Sequence, residues 1–423
     1  MGAISNRFFH RLLILAAATA ILSACTGDSG SSEDSAASCP APSATMGHAG
    51  PTPGTPTAAS GGDTTIDSAS SHAFAQPAPN LSVGAETTEH IAGDAAFDAS
   101  FVPAGNEINP GLGPVFNNKA CSLCHLNDGR GRPPLAGEQM DQMLMRISIG
   151  NDATTGPIAA PGFGGQIQNH AITGVQPEAL VQVSYAAVDC NYPDGAKRTL
   201  RSPSYRLTQP YTALPSTYFL SPRAPPAVFG RGLLEAIAEA TLQGLVTSQA
   251  SGGVVSGKIN YVKNPLNAAT EVGRFGLKAN VSTLLVQSAG AYLQDMGITS
   301  DYLPTESSAG QSQADGLSDD PEIDAATVDA TAFYTQTLAV PERRNLSDAT
   351  ALAGEALFAQ IGCNLCHVAP LTTGTLSGVP AVSNQTIYAY TDLLLHDMGD
   401  GLADGISQGQ ATQREFRTAP LWG

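Results

Sequence analysis

Two pentapeptides of one form occur in the chain, Cys121-Ser122-Leu123-Cys124-His125 and Cys363-Asn364-Leu365-Cys366-His367. Two thiols separated by two residues can reach one edge of a porphyrin. A histidine directly after the second thiol then lies below the ring, which is the attachment pattern of a c-type haem. Zinc is the competing reading, but finger-type zinc sites space their histidines well away from the cysteines. A redox dithiol is the third reading, and it has no need of the histidine. The expectation is therefore two covalently bound haem c groups on Cys121, Cys124, Cys363 and Cys366, with His125 and His367 as axial ligands of the iron. That restricts the chemistry to electron transfer, peroxide or oxygen. Phe116 and Phe358 each lie five residues ahead of their motif, as a duplicated haem-binding module would place them.

The chain has 423 residues, enough for two domains, and its net charge of −17 argues against nucleic acid as a partner. An apolar fraction of 42% is sufficient for a core. At the N-terminus, Arg7 and Arg11 precede an apolar run over 12–22 that is short for a membrane span. The run closes on Leu22-Ser23-Ala24-Cys25, which resembles a bacterial lipoprotein box. Residues 1–24 are read as a signal peptide and Cys25 as the lipidated residue. The chain then sits on the periplasmic face of a bacterial membrane, and Thr26 after the lipidated cysteine favours the outer membrane. Residues 25–84, rich in Ser, Ala, Gly, Thr and Pro, are read as a low-complexity tether. A bridge between the two remaining cysteines, Cys39 and Cys190, is open in such a compartment.

Apolar spacing predicts helices over 135–149, 232–248, 277–296 and 323–340, and Ser347-Asp348 caps one that runs to 361. No hairpin stands out, and 155–165 and 200–226 read as long loops. The expected fold is mainly α.

Several longer segments carry a resemblance. They are Asp128-Gly129-Arg130-Gly131-Arg132-Pro133-Pro134, Gly273-Arg274-Phe275-Gly276-Leu277-Lys278-Ala279-Asn280, Asp295-Met296-Gly297-Ile298, Tyr390-Thr391-Asp392-Leu393-Leu394-Leu395-His396-Asp397-Met398-Gly399 and Phe416-Arg417-Thr418-Ala419-Pro420-Leu421-Trp422-Gly423. Their order and wording resemble the dihaem oxidoreductase family, also labelled thiol-oxidoreductase-like, over residues 106–423. That family looks like a branch of the bacterial dihaem cytochrome c peroxidase and MauG superfamily. The resemblance implies two cytochrome c-like haem domains with long irregular loops. The first covers 85–345 with a family-specific insertion; the second covers 346–423 and reads as truncated at its C-terminal end.

The resemblance also implies roles. In the superfamily one haem relays electrons and the other meets peroxide, beside a Gln and a Glu ten residues apart; Gln168 and Glu178 stand at that spacing and are the catalytic candidates. A calcium ion between the haems would take Asn151, Thr418 and Pro420. His396 or Met398 is the candidate sixth ligand at the second iron, with His396 equally readable as a structural histidine paired with a nearby acid; His170, Met140, Met143 and Met145 follow the first, where the methionines also suit a plain core. The single Trp422 is not where the superfamily keeps a tryptophan between its haems. The implied activity is reduction of hydrogen peroxide with electrons from a small donor protein of cytochrome or cupredoxin type. The alternatives are a non-catalytic dihaem electron carrier and a haem-dependent oxidase of a protein or thiol.

Overall fold

Three helices form the centre of the molecule. In the computed structural model, which describes residues 57–105, 108–152 and 156–422, helix Ala85–Asp98 packs on Ala325–Thr337, and that helix packs on Leu284–Met296. The first pair is close because Gly93 faces it. A β-carbon at Gly93 would collide with the Ala330 carbonyl and the Tyr334 side chain. Gly93→Ala is therefore expected to cost about 1–3 kcal/mol through forced separation of the two helices, read as a lower denaturation midpoint with unchanged spectra. The helix starts follow ordinary capping chemistry. The Asp348 carboxylate accepts from the Thr350 and Ala351 N–H groups, both at 2.9 Å, and Asp324 accepts from Thr327 at 2.9 Å.

The mainly α expectation is wrong. The molecule is 26% helix and 22% strand, with seven α-helices among the described residues and many small sheets, so it is not a pair of helical cytochrome c-like domains. Residues 135–149 form no helix. Leu144–Ser148 is instead the middle strand of an antiparallel three-stranded sheet, between Phe219–Arg223 and Gln166–Ile167. Met143, Met145 and Ile147 alternate inward, a period of two rather than 3.6. The segment 232–248 divides into helices Arg231–Glu235 and Glu239–Gly252, with Ala238 extended between them. The span 277–296 is helical only from Leu284. The two aromatics ahead of the motifs lie in different elements: Phe116 in the strand Val115–Phe116, Phe358 in the helix Ala349–Gln360.

A hairpin also appears where none was expected. Leu180–Asn191 pairs antiparallel with Lys197–Thr208 along its full length, and Gly195 at φ +85° closes the turn. Val181 and Leu207 at its base join a second apolar cluster with Met140, Met143, Met145, Phe163 and Ile167. The three methionines are thus core side chains.

The main apolar core includes Phe97, Leu233, Ile237, Tyr334, Ile387 and Leu394, and so crosses the boundary drawn at 345/346. Residues 57–84, expected to be tether, are strapped onto this body. Thr65–Ile66 pairs in parallel with Val340–Pro341, Phe74 stacks on Phe229 at 4.3 Å, and the Tyr388 N–H donates to the Ser60 carbonyl at 2.8 Å. Residues 1–56, with the expected signal peptide, Cys25 and Cys39, lie outside the described residues. Cys190 is disulfide-bonded, and Cys121, Cys124 and Cys366 are free thiols. No helix among the described residues is long and apolar enough to cross a membrane.

Candidate functional site

The first pentapeptide folds as a short helical turn, Cys121–Cys124, with His125 just past it. The His125 Nδ1–H donates to the Pro226 carbonyl at 2.9 Å, and the ring lies 6.0 Å from Phe97. Committing Nδ1 to a carbonyl leaves the Nε2 lone pair as the metal-binding face. Burial pushes the imidazole down to about 4, so it is neutral near pH 7, the form a metal requires. Burial, with the Asp295 carboxylate second, pushes the Cys121 and Cys124 thiols up to about 12.

The second pentapeptide follows helix Ala349–Gln360 and a left-handed Gly362 at φ +83°. The His367 Nδ1–H donates to the Tyr390 carbonyl at 2.8 Å, repeating the arrangement at His125, and burial again lowers the imidazole. Four residues apart on a non-helical segment, Asp392 and His396 form a buried pair: Asp392 Oδ2 meets His396 Nε2 at 2.8 Å and accepts from Gln249 Nε2 at 2.8 Å. His396 Nδ1 faces Cys366 Sγ at 3.9 Å. Burial alone would lower His396, but the Asp392 carboxylate and the Cys366 sulfur carry it up to about 10. The structure therefore brings His396 to the second motif as a histidine tied to an acid. Met398 is half-buried, and its backbone N–H donates to the Arg414 carbonyl.

Among the described residues, neither pentapeptide brings its two sulfurs and its own imidazole within 4.8 Å of one another, as a closed tetrahedral zinc site on the motif demands. Cys366, Asp392 and His396 do come that close and could hold an ion, but that group draws on one motif cysteine and not on His367. Two thiols and the following imidazole are the donor set that a haem c takes. Gln166 Oε1, close to the first motif, and Gln249 Oε1, close to the second, are buried acceptors without a partner in the protein.

Gln168 and Glu178 do meet. They bond reciprocally: the Gln168 N–H donates to Glu178 Oε2 at 2.8 Å and the Glu178 N–H to the Gln168 carbonyl at 3.0 Å. The Glu178 side chain is 1% exposed, and burial pushes its carboxyl up to about 7 against the lowering effect of its hydrogen bonds. A ladder of amides joins this pair to the first motif. Gln168 Nε2 and Gln166 Nε2 both donate to the Gln294 carbonyl, Gln166 Nε2 also reaches Asp295 Oδ1 at 2.7 Å, and the Asp295 carbonyl accepts from the N–H groups of Asn117 and Asn118. The Asn118 amide lies 3.6 Å from Cys124 Sγ.

Of the calcium candidates, Asn151 hydrogen-bonds into the 404–408 loop, donating to the Gly405 carbonyl at 3.0 Å and accepting from the Ser407 N–H at 2.7 Å. The Thr418 carbonyl accepts from the Thr391 hydroxyl and Arg417 Nη1. His170 pairs with Asp141 at 3.1 Å and stacks on Phe116. Sequence reasoning passed over Asp295 and Asp392, although both stand inside segments quoted for the resemblance. It also passed over Gln249 and Gln311, which no local pattern marks.

Paired thiol–imidazole sites of this geometry, one beside a buried carboxylate, define a two-haem redox protein. The family model described as "Di-haem oxidoreductase, putative peroxidase" matches residues 55–423, and the chain belongs to that family. No curated protein and no solved structure matches it.

Proposed function

We propose that this chain is an exported c-type dihaem oxidoreductase that reduces hydrogen peroxide with electrons from a small redox donor of cytochrome or cupredoxin type. Cys121 and Cys124 would hold one haem covalently and Cys363 and Cys366 the other, with His125 and His367 binding iron through Nε2. Bound haem would relay the donor's electrons to peroxide. The observation that carries the reading is Glu178, a fully buried carboxylate titrating near neutral pH and wired by amides to the first motif. Such a group can take a proton from one peroxide oxygen and return it to the other. Gln168 gives its backbone N–H to Glu178, which holds the carboxylate in place, and one of its two amide N–H groups to the Gln294 carbonyl.

The test is optical and spin-resonance spectroscopy of exported protein, oxidised and reduced, with and without peroxide. Two covalent haems, one of which responds to peroxide, and saturable peroxide-dependent oxidation of a reduced donor are expected. Two six-coordinate low-spin irons that ignore peroxide would instead make the chain an electron carrier.

A further inference from the structure

Between helices Leu284–Met296 and Ala325–Thr337 runs a segment, 299–324, that carries seven acids and no basic residue. It reaches across the molecule to the candidate proton relay. Gln311 Nε2 donates to Glu178 Oε1 at 2.8 Å, the oxygen that Gln168 leaves open. Two residues on, Gln313 Nε2 donates to the Gln176 carbonyl at 2.6 Å, and the Ser307 hydroxyl ties the near end of the segment to the Leu293 carbonyl. Gln311 Oε1 has no partner in the protein, so hydrogen-bond donation to Glu178 is what its amide does here.

We infer that Gln311 is a positioning residue for proton transfer, holding the Glu178 carboxylate from the side opposite Gln168; this rests on the reading of Glu178 as the relay. The chemistry explains why an amide stands there. A lysine or arginine would stabilise the anion so strongly that the carboxylate could no longer pick up a proton near neutral pH. An apolar residue would leave burial unopposed on that side and keep the group protonated. A neutral donor fixes the geometry and favours the ionised form only modestly. The groups facing the carboxylate are Gln168, Gln311 and Tyr211, whose N–H donates to the Glu178 carbonyl and whose hydroxyl is engaged by the Gly162 carbonyl. The dependence on pH therefore falls on the two amides.

The experiment follows the Glu178 carboxyl by infrared difference titration, with Glu178→Gln as the blank, in the full-length haem-loaded protein and in Gln311→Leu. Peroxide turnover is measured against pH on the same samples. Loss of one hydrogen bond to the ionised form should move the carboxyl titration upward by about one pH unit. The acid limb of turnover should move with it, and the rate above that limb should be retained. Gln313→Leu, which loosens the same segment without touching Glu178, should shift neither. If Gln311→Leu does not fold, Gln311→Met serves with the same expectation. An unmoved titration in a Gln311 variant overturns the inference while leaving Glu178 in place. Unchanged turnover in Glu178→Gln removes the relay itself, and the two failures are thereby distinguished.

Discussion

Replacing Cys121 and Cys124 together by alanine is expected to leave a chain carrying one covalent porphyrin instead of two, read as the loss of one haem in intact-mass spectra. The same result, with the other haem retained, is expected for Cys363 and Cys366. The expectation of independence comes from the geometry. Each pentapeptide has its own anchor for the histidine, the Pro226 carbonyl for His125 and the Tyr390 carbonyl for His367, and its own buried orphan acceptor. His125→Gly or His367→Gly should change the spectrum of one iron without releasing its porphyrin, because thioether links and the axial bond are separate attachments. Loss of both haems from either cysteine pair, or two haems retained, would mean that the pentapeptides are not two separate attachment sites. A metal-replete, haem-free protein would bring back zinc, with Cys366, Asp392 and His396 as the group to hold it.

The two pentapeptides were legible because the signal is local: all five residues of each lie within about one turn of chain. Helix starts were legible for the same reason, and Asp348 caps its helix as its side chain predicts. The strands were harder to see. Met143, Met145 and Ile147 do alternate, yet Met140 and Leu144 complete a helical spacing over the same window, and which period wins depends on pairing with Phe219–Arg223 some seventy residues later. The hairpin was missed although Pro193-Asp194-Gly195 is a turn signal with a mechanism. Its second strand is largely exposed on both faces, so it lacks the inward alternation that usually marks a strand. The site divides in the same way. Gln168 and Glu178 were paired only because the family resemblance implies a Gln and a Glu ten residues apart. Gln311 lies 133 residues from Glu178, and only the path of the 299–324 segment brings it there. Asp392 is four residues from His396 but on non-helical chain, with Leu393 left-handed at φ +58°, so helical spacing gave no reason to join them.

Glu178→Gln is expected to lower peroxide turnover by a factor of about 10²–10⁴, the usual contribution of a positioned proton-transfer group, with both haems still attached. The substitution keeps size and shape but removes the ability to accept a proton. It also upsets the local bonding, since Gln168 donates to Oε2 and Gln311 to Oε1, and the amide keeps an acceptor at only one of those two positions. In the unsubstituted protein, burial holds the Glu178 carboxyl at about 7, above its ordinary range near 4.5. Its ionised form, the one that accepts a proton, is therefore lost as pH falls through about 7, and turnover should fall with it on the acid side. In Glu178→Gln that limb should disappear, leaving a slow rate that is flat through the same range. A limb that persists near pH 7 after the substitution would assign the titration to another group, and full turnover would show that peroxide is reduced without this carboxylate.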